Sequence, residues 1–192
     1  MKIKISLVGS SGCGKTTLVH ALAYGRTACE GGQPLDVVPL TLRVQGKSVS
    51  ATLWDPLPTD GMAGFPTLPH KGAAACLVVF DFTARESFRR ASFLMQRVLS
   101  IEPNIALILV ANKCDLAERV STIAVTHQEV RALARTYGAD TCFVSALEQT
   151  GLGQLITHLE ELLSKADSVP ARSVLSLEDL EPARPKPSGC SC

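Results

Sequence analysis

The chain has little that would commit it to nucleic acid, to a membrane span or to metal chemistry. Nineteen Lys and Arg stand against 18 Asp and Glu, for a formal net charge of +1. No long basic run occurs, so there is no electrostatic footprint for nucleic acid or for an acidic substrate. No segment reaches the ~18 consecutive apolar residues that a spanning helix needs. The opening MKIKISLVGSSG alternates lysines with apolar residues and lacks a signal-peptide core, which predicts a protein kept in the cytosol. Of seven cysteines, Cys13, Cys29, Cys76, Cys114 and Cys142 are scattered without metal-ligand spacing and read as reduced thiols. Cys190 and Cys192 stand apart and are taken up below.

What is present is an alternation of strand and helix patterns. At 192 residues and 46% apolar content, the chain suits one domain with a substantial core. Residues 2–8 form a short β-branched run, and KTTLVHALAY, Lys15 to Tyr24, has helical spacing. Two alternating strands follow, around Val37 to Val44 and Ser48 to Trp54, joined at Gln45-Gly46. AACLVVFD (Ala74 to Asp81) and IALILVA (Ile105 to Ala111) are continuous apolar runs, as expected of strands buried on both faces. Between them Phe88, Ala91, Leu94, Met95 and Val98 mark one side of a helix over residues 85–100. A helix over 126–137, a strand over 141–144 and a closing helix over 152–165 complete the series. The pattern predicts a doubly wound α/β domain over residues 1–166, with a mostly parallel six-stranded sheet flanked by helices. Residues 167–192 shift to proline and small polar residues without apolar period, which predicts a flexible tail.

Two motifs carry chemistry. GSSGCGKT (Gly9, Ser10, Ser11, Gly12, Cys13, Gly14, Lys15, Thr16) follows the first strand and opens the first helix. In that setting, glycine-permitted backbone N–H groups and a helix N-terminus converge on a polyphosphate. Lys15 is expected to neutralise the β- and γ-phosphates and Thr16 to help hold Mg²⁺, with Thr17 next in the same turn. NKCD, Asn112 to Asp115, follows the strand that ends at Ala111. A carboxylate there can accept from a ring N–H and an exocyclic amine on one edge, a pair that guanine offers and adenine does not. Leaving such a buried group unpaired costs roughly 1 to 3 kcal/mol, more when charged, so Asp115 predicts strong guanine preference.

GSSGCGKT, WD (Trp54-Asp55), NKCD and SAL (Ser145, Ala146, Leu147), in this order and with these separations, resemble a small GTPase of the Ras superfamily over about residues 1–166. The Rab branch is the most similar. HKGAAACLVVFDFTARESF, His70 to Phe88, aligns without gaps to a Rab stretch, and Cys190-x-Cys192 resembles the Rab double geranylgeranylation signal. The resemblance implies a P-loop GTPase fold, with GTP or GDP and Mg²⁺ as ligands. It implies that Asn112 supports the base, Lys113 lies along its plane, Asp115 reads its edge, and the backbone near Ala146 meets the guanine carbonyl. Asp55 falls at the family's Mg²⁺-side position. Expected partners are an exchange factor, a GTPase activator, an escort protein, a dissociation inhibitor and effectors. The family's role in intracellular vesicle trafficking is implied with them, on the cytoplasmic face of an endomembrane or the plasma membrane, beside a cytosolic pool.

The tail can also be argued physically. Free surface thiols are a liability, and one lipid chain binds membranes only marginally where two anchor stably. A paired lipidation site at Cys190 and Cys192 is the economical explanation. Only Arg184 and Lys186 lie nearby, so attraction to anionic lipid adds little.

The family pattern breaks in WDPLPTDG, Trp54 to Gly61. Counting from Asp55, Pro58 replaces the glycine whose N–H donates to the γ-phosphate, and Thr59 replaces the catalytic glutamine. A lost bond to a charged group is worth about 1.5 to 3 kcal/mol, so nucleotide binding is expected to survive while γ-phosphate sensing suffers. Thr59 is too short to orient water, so hydrolysis is expected to be slow. The first switch has Gly32 or Gln33 where the family has a Mg²⁺-binding threonine, and Thr27 lies several positions early. The alternative reading is a pseudo-GTPase, a membrane-tethered interaction scaffold without turnover. A P-loop metabolite kinase is disfavoured by NKCD and SAL.

Overall fold

The computed structural model describes residues 2–25, 37–54, 70–117 and 124–166. Strands β1 (Lys2–Gly9), β2 (Val37–Val44), β3 (Lys47–Trp54), β4 (Ala75–Asp81), β5 (Ala106–Asn112) and β6 (Asp140–Phe143) form one sheet. Helices α1 (Lys15–Tyr24), α2 (Arg85–Ile101), α3 (Cys114–Ala117), α4 (His127–Thr136) and α5 (Leu152–Ala166) connect or flank them. The sheet order is β2-β3-β1-β4-β5-β6, and every pairing is parallel except β2 with β3. The expected doubly wound α/β architecture is thus present, with element ends moved by a residue or so.

The strand patterns explain the layering. β4 and β5 are buried almost throughout, because helices cover both faces. β2 alternates exposed and buried residues, as an edge strand with one covered face does. Cores lie on both sides of the sheet. Leu18 and Val19 of α1 and Leu155, Leu159 and Leu163 of α5 pack under one face, and Ala91, Leu94, Met95 and Val98 of α2 with Val130 and Ala134 of α4 under the other.

Local chemistry fixes the ends. Gln45 and Gly46 both have positive φ, 51° and 76°, the turn that joins two strands over a two-residue hairpin loop. Gln45 Nε2 donates to the Ser164 carbonyl at 3.3 Å, and Glu160 Oε1 accepts from the Arg43 N–H at 2.6 Å, so the hairpin is held against α5. α4 starts on a capping box: Thr126 Oγ1 accepts from the Glu129 N–H at 3.3 Å while Glu129 Oε2 accepts from the Thr126 N–H at 2.9 Å. At the far end of β3 the Trp54 indole lies under Lys4, whose Nζ is 4.3 Å from the ring centroid. Among the described residues no helix is long and apolar enough to cross a membrane.

Candidate functional site

Parallel strands deliver their C-terminal ends to one rim of the sheet, where crossover loops can meet. β1 enters its loop at Gly9, packed so closely on β4 that a Cβ there would collide with the Val79 carbonyl oxygen. Gly14 precedes α1 in the left-handed region (φ 90°), and a Cβ on it would collide with Asn112 Nδ2. No side chain caps the first turn of α1, and that turn carries no acid, so its N–H groups and positive dipole end face the loop.

Lys15 is buried, and its Nζ donates to the Gly9 carbonyl at 2.9 Å and the Ser10 carbonyl at 3.0 Å. The ammonium therefore lies across the mouth of its own loop. Ser11 and Gly12 are exposed at the loop tip, Thr16 and Thr17 are half-buried in the first turn of α1, and Ser10 Oγ is buried without a hydrogen-bond partner. Cys13 is buried, and burial raises its thiol pKa despite the opposing charge of Lys15.

The second motif is assembled around Asn112. Its Nδ2 donates to the Cys13 carbonyl at 2.9 Å, and its Oδ1 accepts from the Ala146 N–H at 3.0 Å. One side chain joins the phosphate-loop sequence, NKCD and SAL. The Ala146 N–H, expected to meet a base carbonyl, is engaged here by Asn112, and offering it to a ligand oxygen would make it a three-centre donor. Ser145 is a scaffold residue: its Oγ accepts from the Glu148 N–H at 3.0 Å, and its backbone bridges to Thr150 in both directions at 3.1 Å. Leu147 projects from this turn, 62% exposed.

Asp115 sits in the one-turn α3 with Oδ1 buried and no hydrogen-bond partner. Such a carboxylate oxygen is costly until a donor reaches it. A ligand edge with two N–H groups is the kind of group it fits. Both polar atoms of the Asn112 side chain are engaged in scaffolding, whereas Asp115 Oδ1 is not.

Sequence reasoning assigned no role to Asp81. It is the register partner of Asn112 across β4 and β5, and its Oδ2 lies 2.8 Å from Lys113 Nζ. Oδ1 accepts from the Thr83 N–H at 2.9 Å and from Thr83 Oγ1 at 2.7 Å. Burial works to raise the Asp81 pKa, but the bonds from Lys113 and Thr83 outweigh it and hold the carboxyl below its ordinary value. Lys113 itself has φ 65°, a left-handed conformation uncommon for a long side chain. The Asp81 pair thus orients a strained residue of the NKCD motif. The available signal was an acid ending a buried strand beside the strand that ends at Asn112.

Asp55, Pro58, Thr59, Thr27, Gly31, Gly32, Gln33, Cys29, Cys190 and Cys192 lie outside the described residues. Burial pushes the thiols of Cys76 and Cys142 up to about 12 and that of Cys114 up to about 11, so they are poor nucleophiles. Among the described residues no three His, Cys, Asp or Glu side chains come together as a metal site.

The Ras family model matches residues 4–165, which includes every motif just described. The chain belongs to the Ras family. Within it the relatives are Rab-like. The chain is 28% identical over 169 residues to the Ras-related protein RABA1a of Arabidopsis thaliana, covering 84% of this chain and 77% of that protein. It is 30% identical over 169 residues to RABA2d of the same plant, covering 84% and 76%. It is 26% identical over 173 residues to a probable Rab-related GTPase of Acanthamoeba polyphaga mimivirus, covering 86% and 80%. The chain is a Rab-like small GTPase of the Ras family, and its sheet and flanking helices are those of the P-loop GTPase fold.

Proposed function

We propose that residues 1–166 bind GTP and GDP with guanine selected by Asp115, hydrolyse GTP slowly, and act as a membrane-anchored regulator of vesicle trafficking. The observation that carries the nucleotide reading is the buried, unpartnered Oδ1 of Asp115 at the rim where the Gly9–Thr16 loop is tied to Asn112. In this reading the α1 N-terminus and the loop amides bind the phosphates, with Lys15 turning from the Gly9 and Ser10 carbonyls toward them. Asp115 accepts from the two N–H groups of the guanine edge. Thr16 and Asp55 would hold Mg²⁺, which supplies positive charge to the β- and γ-phosphates.

Turnover is weak because Pro58 brings no N–H to the γ-phosphate and Thr59 does not reach the attacking water. Residues 167–192 carry the anchor, two lipids on Cys190 and Cys192. Family membership supports an exchange factor, an activator, an escort protein, a dissociation inhibitor and effectors as partners.

Fluorescent-nucleotide binding with Mg²⁺ tests the core of this reading. GDP and GTP should bind and excess ATP should fail to compete, and Lys15→Ala should lose most affinity. Unchanged binding in Lys15→Ala, or effective competition by ATP, overturns it. In single-turnover assays hydrolysis should exceed buffer but stay below that of a glutamine-bearing relative. A rate equal to buffer replaces the switch with a nucleotide-bound scaffold. Replacing Cys190 and Cys192 by serine should move the protein from membranes to cytosol, and retained membrane binding refutes the anchor.

A further inference from the structure

The rim that carries the two motifs is closed by a ring of links. Asn112 Nδ2 ties the end of β5 to the Cys13 carbonyl, and Asn112 Oδ1 ties it to the Ala146 N–H. Both of these bonds are buried. From Cys13 the chain runs into α1, which ends at Tyr24 on its Gly25 cap. Gln149 completes the ring: its Nε2 donates to the Gly25 carbonyl at 3.2 Å, between residues 124 positions apart. This closing bond is exposed.

Both ends of the closing bond sit in special backbone. Gly25 caps α1 in the left-handed region, φ 61° and ψ 28°, with its N–H on the Ala21 carbonyl at 3.1 Å, so the helix end sets where the Gly25 carbonyl points. Gln149 lies in the same region, φ 57°, where a residue with a Cβ is strained and glycine or asparagine is the usual occupant. The turn around it imposes this conformation. The Ser145 and Thr150 backbones exchange bonds at 3.1 Å, Ser145 Oγ accepts from the Glu148 N–H at 3.0 Å, and at Gly151 a Cβ would collide with the Phe143 carbonyl oxygen. A glutamine thus stands where glycine would be easier, and strain borne at a residue whose amide reaches across to α1 points to a role for that amide.

We propose that the Gln149–Gly25 bond is a latch on the nucleotide site, and that Gln149 is a positioning residue which holds the C-terminal end of α1 against the Ser145–Thr150 turn. This role rests on the guanine-nucleotide site proposed above. Water competes for an exposed bond and not for the buried bonds of Asn112, so the Gln149–Gly25 link is the one that opens first. Opening it loosens the turn that carries the Ala146 N–H against the helix that begins with Lys15 and Thr16. A nucleotide held at both places then leaves more readily. Asp115 is not a member of the ring, so the choice of base is untouched.

Stopped-flow release of fluorescent GDP from the full chain with Mg²⁺, chased by excess unlabelled GDP, tests the latch. Gln149→Ala should release roughly three- to tenfold faster than wild type, the worth of one exposed bond, with the association rate and the preference for GDP over XDP unchanged. Gln149→Asn suits the left-handed backbone but is too short to reach Gly25, and should be as fast as Gln149→Ala. Gln149→Glu keeps the length without the donor and should also be fast, whereas Gln149→Lys keeps a donor of similar reach and should stay within about twofold of wild type. A wild-type rate in Gln149→Ala overturns the latch and leaves the nucleotide site standing. A wild-type rate in Gln149→Asn alone assigns the effect to backbone strain, and equal acceleration in the Glu and Lys variants assigns it to the turn as a whole; either result also overturns the latch. If wild type fails to bind fluorescent GDP, the site falls and the latch with it.

Discussion

Asn112 Nδ2 donates to the Cys13 carbonyl at 2.9 Å, joining residues 99 positions apart in sequence. Because Oδ1 of the same side chain takes the Ala146 N–H, one buried amide sets the distance between the Gly9–Thr16 loop and the turn at Ser145–Leu147. Asn112→Ala breaks both bonds and leaves the Ala146 donor and Cys13 acceptor buried. At about 1 to 1.5 kcal/mol per bond, the loss is roughly 2 to 3 kcal/mol. We expect the melting temperature of nucleotide-free protein to fall by on the order of 4 to 12 °C. A scanning-calorimetry shift below 1 °C would show that the amide is not a structural hub.

Asp115→Asn exchanges an acceptor pair for an amide. Guanine nucleotide affinity should drop by at least tenfold and xanthine nucleotide affinity should rise, because the edge pairing reverses. Competition titrations with GDP and XDP check this. Equal affinities before and after would mean that Asp115 reads no base edge.

Asp81→Asn tests the ion pair with Lys113. The Asp81 and Lys113 side chains are 15% and 31% exposed, so the pair is partly shielded and its loss frees Lys113 from its 2.8 Å partner. Guanine nucleotide release should accelerate by roughly three- to tenfold, corresponding to about 1 kcal/mol. The base preference should be kept, which separates this positioning role from that of Asp115. Stopped-flow release with unchanged kinetics would refute it.

His70 predicts an acid-side loss of stability. It is fully buried, with Nδ1 3.0 Å from Ser6 Oγ. Burial and then the nearby Lys4 charge lower its pKa from 6.5 to about 4. The unfolded chain therefore binds the proton first between pH 6.5 and 4, so this contribution to stability falls as pH falls through that window and is constant above it. Denaturation midpoints of wild type and His70→Gln should converge between pH 7 and 5. A constant difference would show that His70 does not titrate on unfolding.

Much of this was legible because local and global signals agree. β4 and β5 are continuous apolar runs that the sheet buries on both faces, Gln45-Gly46 makes the turn it spells, and Thr126 caps α4 through Glu129. The Gly9–Thr16 loop was legible because its glycines answer steric demands, at Val79 and Asn112, that few other residues satisfy. α3 was not, since one helical turn leaves no period to read. Nor was the Asp81–Lys113 pair, which depends on how β4 and β5 are registered, a non-local fact. The double duty of Asn112 is likewise set by the packing of three loops and by nothing in the tetrapeptide.

The β2 edge limits backbone pairing by an incoming strand. Alternate backbone groups of an edge strand point outward, and Arg43, whose N–H is taken by Glu160, belongs to that outward set with Thr41 and Pro39. Pro39 brings no N–H, so two of three neighbouring outward donors are withdrawn from an incoming strand. Extension of the sheet by a partner's peptide at the β2 edge is thereby disfavoured. A partner meeting this edge would have to be recognised by side chains, where a single substitution can change specificity without disturbing the sheet.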